Sequence, residues 1–260
     1  MAISTGYKGL DELLGGGLQN GCLYTLAARP SMGKSALALA IGDNINYIGK
    51  KNVVFFSLEM NKEKIFSRLR HINPYFNSDN IKDNEIWRGE TRLIIDDTPE
   101  CSIGQIKEKC QEYMTQCNPL SVAIIDYVQL MSGNGKSDSR QDEIDEILRE
   151  LKNLSRELNI PIVILSQLSR AVEKRNDHRP LLSDFSDTSA FATESDVVLF
   201  VYRDEYYNRD TEKKGIAEIS LARNRNGELG KCELYFMSPV MRFVDPGFLE
   251  EYLDCRYGEV

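Results

Sequence analysis

The chain has 260 residues, of which 42% are hydrophobic and 28% charged, with a formal net charge of -8. That length buries a sizeable core, no apolar run approaches the roughly 20 residues that span a bilayer, and the start "MAISTGYKGLDELL" lacks the basic and apolar regions of a secretory signal, so a cytoplasmic protein without a membrane role is expected. The acidic balance excludes a protein coated in basic surface but leaves room for a local basic channel, and the six cysteines (Cys22, Cys101, Cys110, Cys117, Cys232 and Cys255), beside only His71 and His178, lack zinc-site spacing and read as reduced thiols.

The first apolar run, Leu23 to Leu26, leads into "LYTLAARPSMGKSALALAIG", a strand, a loop and a helix. A phosphate-binding loop needs that context. Its backbone N–H groups and the helix N-terminus surround the phosphates, while Lys34 supplies charge to the β- and γ-phosphates and the Ser35 hydroxyl holds magnesium. The candidate nucleotide contacts are Ala28, Arg29, Pro30, Ser31, Met32, Gly33, Lys34, Ser35 and Ala36. The generic motif has glycine five residues before Gly33, where this chain has Ala28.

The next strand, Val53 to Phe56, runs to Glu59. A carboxylate at the carboxyl edge of an α/β sheet can orient and deprotonate water, but an acid opening the helix "EMNKEKIFSRL" is also favoured by the helix dipole. Spacing leaves both readings open. After the run Leu93 to Ile95, the strand Val122 to Ile125 in "LSVAIIDYVQLM" is closed by Asp126, the shape of a Walker B element whose carboxylate helps hold magnesium. Many buried strands end in Asp; the pairing with Lys34 points to the role.

Arg140 to Leu158 is the clearest helix, with Ile144, Ile147, Leu148, Leu151, Leu154 and Leu158 on one stripe. The run Ile162 to Leu165 in "PIVILSQLSR" then ends in Gln167, whose amide suits either sensing a γ-phosphate or satisfying loop backbone. Arg170, Lys174, Arg175 and Arg179 follow. Charge runs in loops are usually solvated faces, the expectation here for Lys174 and Arg175.

Through the last long run, Val197 to Tyr202, alternation of strands with helical segments predicts βαβ units on a buried, mostly parallel sheet. The pattern then changes to strands without helices, Ile216 to Ala222, Lys231 to Phe236 and Met241 to Val244, an antiparallel extension. Arg223 and Arg225 stand two residues apart at a strand end leading into a tight turn, a rigid site from which guanidinium groups could reach phosphate of a neighbouring subunit. No Pro-, Gly- or Ser-rich linker divides the chain, so one α/β domain over residues 1–260 is predicted.

Taken in order, "STGYKGLDELLGGGL", "AARPSMGKS", "FFSLEM", "IIDYVQLM", "LSQLSR", "YRDE" and "RNRNG" resemble the C-terminal ATPase domain of DnaB-type replicative helicases across nearly the whole chain. The resemblance implies a RecA-like P-loop NTPase that assembles into a hexamer, binds ATP or another NTP with Mg2+, and hydrolyses it between subunits while moving along single-stranded DNA. In that family the phosphate loop commonly begins with Ala, so Ala28 looks like a family trait. Lys34 and Ser35 match the phosphate and magnesium positions, Glu59 the catalytic carboxylate, Asp126 the Walker B acid, Gln167 the γ-phosphate sensor and Arg225 the arginine finger; Arg223 stands where relatives usually carry lysine. Arg170, Asp187 and Ser189 match DNA-contacting positions, although Ser186 to Ala190 replaces the usual Arg-Glu-Ser-Gly-Ser. A helicase loader and primase are implied partners. The family's N-terminal domain and ring-bracing linker helix are not matched, so a largely monomeric state when dilute is expected. A RecA-, RadA- or KaiC-like ATPase, or a nucleotide-dependent regulatory module, are the competing readings.

Overall fold

The computed structural model describes residues 2–116, 118–133, 138–185 and 189–248. In chain order the elements are β1 (Ala2–Ile3), α1 (Lys8–Leu13), β2 (Leu18–Gln19), β3 (Leu23–Ala28), α2 (Lys34–Tyr47), β4 (Asn52–Ser57), α3 (Lys62–Ile72), β5 (Ile81–Lys82), β6 (Glu85–Arg88), β7 (Thr91–Asp96) and α4 (Ile103–Thr115). There follow β8 (Leu120–Asp126), α5 (Arg140–Leu158), β9 (Ile162–Gln167), α6 (Ala190–Glu194), β10 (Val197–Tyr202), α7 (Asp204–Tyr207), β11 (Ile216–Asn224), β12 (Gly230–Met237) and β13 (Arg242–Val244), with short 3-10 turns between.

The six apolar runs become six adjacent parallel strands, in the order β10-β3-β9-β8-β4-β7. Such strands are apolar throughout because both faces are covered. Successive side chains point to opposite faces: on β4, Val53 and Phe55 join the core beneath α2 and α3, while Val54 and Phe56 join the core beneath α4 and α5. The predicted stripe of α5 lies in the second core, with Ile144, Ile147, Leu148, Leu151 and Leu154 buried. Ser139 caps the start of α5 by accepting from the Asp142 N–H, and Asn159 ends the helix in the left-handed region at φ 53°.

Antiparallel strands extend the sheet on both sides to 11 strands. On one side β11, β12 and β13 follow β10, as the sequence pattern predicts. On the other, β6 and β5 add to β7. The sequence pattern does not mark these two, because each is short and only Ile86 in them is fully buried.

Candidate active site

The carboxyl ends of β3, β9, β8 and β4 lie side by side and bring the motifs to one edge. Ala28 pairs with Gln167, and Ser57 pairs with Asp126, whose carbonyl also accepts from the Leu58 N–H at 2.8 Å. At this edge Ala28, Gln167, Lys34, Ser35 and Glu59 line an open cleft of about 670 Å³, with the buried Asp126 behind Lys34. A cleft of that size holds a drug-sized or nucleotide-sized ligand.

Ala28 is buried and is not among the positive-φ residues, so its backbone does not require glycine. The left-handed positions of the loop are Ser31, at φ 65°, and Gly33, at φ 95°. A Cβ at Gly33 would sit 2.9 Å from the Phe243 ring, and Phe243 packs on Phe236 at 4.7 Å between centroids. Glycine there permits both the turn and the close aromatic backing. Gly33 caps α2 with no side-chain hydrogen bond to the first turn, leaving those N–H groups without a side-chain acceptor. An uncapped helix N-terminus of 14 residues is an anion site in the making.

The side chains of two of the nine loop residues are engaged with the rest of the protein. Met32 is 1% exposed and its side chain belongs to the core, so within the loop it offers a nucleotide its backbone alone. The Arg29 guanidinium turns away, donating to the Leu168 carbonyl at 2.7 Å and to Glu173 at 2.6 and 3.0 Å. Arg29 therefore ties the loop to the segment carrying Arg170.

Lys34 Nζ lies 3.1 Å from Asp126 Oδ1, and the Asp126 side chain is wholly buried. Its other oxygen, Oδ2, is buried without a hydrogen-bond partner. An orphaned buried carboxylate oxygen is costly unless a cation or bound water satisfies it. The Asp126 carboxylate and the Ser35 hydroxyl are both hard oxygen donors, the chemistry that suits magnesium. Glu59 lines the cleft beside Tyr127, whose hydroxyl is pushed up first by burial and then by the Glu59 charge. The α3 N-terminus is capped by Asn61 and has Glu63 in its first turn, so the dipole is served without Glu59. Gln167 also lines the cleft; the amide that satisfies backbone here is Gln129, donating to the Gln167 carbonyl at 3.2 Å and to Ser166 Oγ at 2.8 Å.

Sequence reasoning missed several further lining residues, four of which shape the walls of the cleft. Lys64 and Arg68, four apart on α3, present a cationic face to the cleft. Arg203 lies over Phe236 at 4.1 Å and donates to the Ser31 carbonyl at 3.3 Å and to Ser238 Oγ at 3.1 Å. It also pairs with Glu205; burial alone would raise that carboxyl, but Arg203 and the Gly215 N–H hold it below its usual range. Met241, 39% exposed, completes this wall. "YRDE" was the available signal for Arg203; nothing local marks Lys64, Arg68 or Met241.

Arg223 and Arg225 lie elsewhere. Arg223 pairs with Val198, itself beside Thr25 of β3, so the turn leaves the sheet at the edge opposite Ala28. Three residues of strand, about 10 Å, separate Thr25 from Ala28, and neither arginine lines the cleft of its own chain. Arg170 opens a 3-10 turn after β9 and is exposed, as is Ser189 before α6; Asp187, Ser186 and Thr188 lie outside the described residues. Arg175 corrects the expectation of a solvated face: it grips the buried Asp184 through both carboxylate oxygens at 2.5 and 2.8 Å. Arg179 grips the buried Glu218 in the same way at 2.8 Å. Among the described residues no group of three His, Cys, Asp or Glu side chains could hold a metal, and no helix is long and apolar enough to cross a membrane.

The profile of the "DnaB-like helicase C terminal domain" family matches residues 2–245. The replicative DNA helicase DnaB of Geobacillus stearothermophilus is 39% identical over 257 residues, covering 94% of this chain and 56% of the relative. The replicative DNA helicase DnaB of Haemophilus influenzae is 36% identical over 267 residues, covering 97% and 57%. The chain thus spans about half the length of these relatives. Among solved structures, one described as an ATPase domain superposes with a TM-score of 0.85 at 32% identity, covering 94% of this chain and 91% of that one. A DnaB-like replicative helicase, described with its interactions with primase, gives 0.84 at 32% identity over 94% and 62%. The RadB recombinase, at 18% identity and 0.62 over 94% and 99%, shares the fold. The fold is RecA-like, and the chain belongs to the family of DnaB-like helicase C-terminal domains.

Proposed function

We propose that this chain is the motor domain of a replicative DNA helicase, one RecA-like domain over residues 1–260. It hydrolyses ATP or another nucleoside triphosphate with magnesium, and spends that energy moving along single-stranded DNA and parting the duplex. The observation that carries this reading is a division of parts between edges. Lys34, Glu59, Asp126 and Gln167 converge at one sheet edge, while Arg223 and Arg225 leave by the other. A cleft at one edge, on a chain whose Arg223 and Arg225 lie at the opposite edge and line no cleft of their own chain, fits a ring of identical subunits with nucleotide between them.

In this reading the α2 N–H groups and Lys34 bind the β- and γ-phosphates. Ser35 and Asp126 would hold magnesium, which supplies charge stabilisation at the transferring phosphoryl group. Glu59 orients and deprotonates the attacking water, Gln167 senses the γ-phosphate, and the Arg203–Phe236 pair with Met241 gives the base a flat wall. Arg225, with Arg223, reaches the neighbour's phosphates. Arg170 and Ser189, with Asp187, face the DNA. The assembled form is a homo-hexamer in the cytoplasm, with a helicase loader and, as the described interactions of one structural relative suggest, primase as partners.

The test is NTP hydrolysis with and without single-stranded DNA across protein concentration, beside a mass measurement. Specific activity should rise steeply with concentration and with DNA. Mixing Arg225→Ala with Lys34→Ala subunits should restore activity where an intact finger meets an intact loop, since such a finger is worth about 1,000-fold or more. Flat activity per subunit in a monomeric protein overturns the trans finger. Steady hydrolysis indifferent to DNA would favour a RecA-, RadA- or KaiC-like ATPase or a regulatory module.

A further inference from the structure

A guanidinium on a turn at the end of β11 would sample many positions if only its backbone were held, because the long arginine side chain has many rotamers. Arg225 is held at both ends by one stretch of chain. Its N–H donates to the Asp196 carbonyl at 2.9 Å, its Nη2 donates to the Thr193 carbonyl, and its Nη1 stands 3.8 Å from Asp196 Oδ1. Arg223 is held by the same stretch, donating through Nε to the Ser195 carbonyl at 3.1 Å. Thr193 and Ser195 lie at the C-terminal end of α6, where carbonyls have no helical partner and accept cationic donors readily.

Asp196 is 5% exposed, in the link between α6 and β10. Its Oδ2 accepts the Leu23 N–H at 2.8 Å and pairs with Lys152 of α5, which is itself 5% exposed and donates to the Gly21 carbonyl at 3.2 Å. A buried ion pair is seldom more stabilising than apolar residues of the same volume, so stability alone does not account for this one. What the pair does fix is the position of one carboxylate relative to β3, α5 and β10 together. That carboxylate faces Arg225, at the sheet edge opposite the phosphate cleft.

We infer that Asp196, braced by Lys152, is the positioning residue of the arginine finger, holding Arg225 at the angle from which it meets the neighbouring subunit's nucleotide. The inference rests on the trans role proposed for Arg225. It predicts that loss of Asp196 damages hydrolysis at the neighbour's site and leaves the same chain's own phosphate loop intact.

The experiment uses the full chain at concentrations where hydrolysis has reached its plateau. Asp196→Asn should lower kcat roughly 10- to 100-fold, the scale of misplacing a catalytic group by about an ångström, with KM for nucleotide within about threefold. In an Arg225→Ala background the same substitution should have no further effect, because it acts through that residue alone. Mixing Asp196→Asn with Lys34→Ala subunits should recover activity. The double variant Lys152→Met, Asp196→Asn removes the stranded ammonium and repeats the test should the single variant fold poorly. A further fall in the Arg225→Ala background, or wild-type turnover of the Asp196 variants, overturns the inference. Unchanged turnover of Arg225→Ala by itself defeats the trans finger and this inference with it, in an arm that never touches Asp196.

Discussion

Replacing Glu218 by Gln removes the charge at the junction between β11 and the segment that follows Arg170. Glu218 is 4% exposed and accepts Arg179 Nε and Nη2 and Lys213 Nζ, each at 2.8 Å. The Arg179 hydrogen bonds lead in moving its carboxyl from 4.5 to about 2. At 1.36 kcal/mol per pH unit that difference corresponds to about 3 kcal/mol. The Arg179 and Lys213 side chains are 43% and 41% exposed, so solvent screening brings the expected contribution to about 1–2 kcal/mol. The folded value lies below the unfolded one, so this stabilisation is complete above about pH 4.5 and is lost as pH falls toward 2. Denaturant unfolding of wild type and Glu218→Gln should therefore differ by about 1–2 kcal/mol at pH 7, with the gap narrowing below pH 4.5. A gap of constant size from pH 7 to pH 3 would refute the ion-pair account and leave shape or packing as the cause.

Lys34→Ala should abolish tight nucleotide binding or turnover, and it strands the wholly buried Asp126 carboxylate, so thermal unfolding should show a loss on the order of 3 kcal/mol; full activity or unchanged stability sinks the assignment. Asp126→Ala should chiefly damage magnesium-dependent hydrolysis, seen as turnover that added magnesium no longer raises. Glu59→Gln should keep nucleotide affinity within a few fold while cutting turnover roughly 100-fold or more, and lost affinity with normal residual chemistry would mark it as structural. Arg170→Ala should weaken single-stranded DNA binding at low salt and flatten its salt dependence by about one unit of slope, and unchanged affinity would remove this turn from the DNA track.

The one-dimensional pattern determined a good deal. Each of the six parallel strands is an apolar run because both its faces are covered, and α5 shows its buried stripe at helical spacing; burial of this kind leaves a periodic trace in the residues themselves. The strand, loop and helix around "AARPSMGKS" and the Asp126 that closes β8 were legible for a similar reason, since their local structure is set by neighbours a few residues away. What the tertiary structure alone decided were partnerships across the chain. Arg29 meets Glu173, Arg179 meets Glu218, and Arg225 meets Asp196, pairs separated by 144, 39 and 29 positions. Local composition carries no record of such partners, which is why Arg175 read as a solvated charge when it in fact grips Asp184. The opposite placement of Lys34 and Arg225 likewise follows from strand direction: β3 and β10 run parallel, β11 returns antiparallel, and so the chain brings its phosphate loop to one edge of the sheet and its paired arginines to the other.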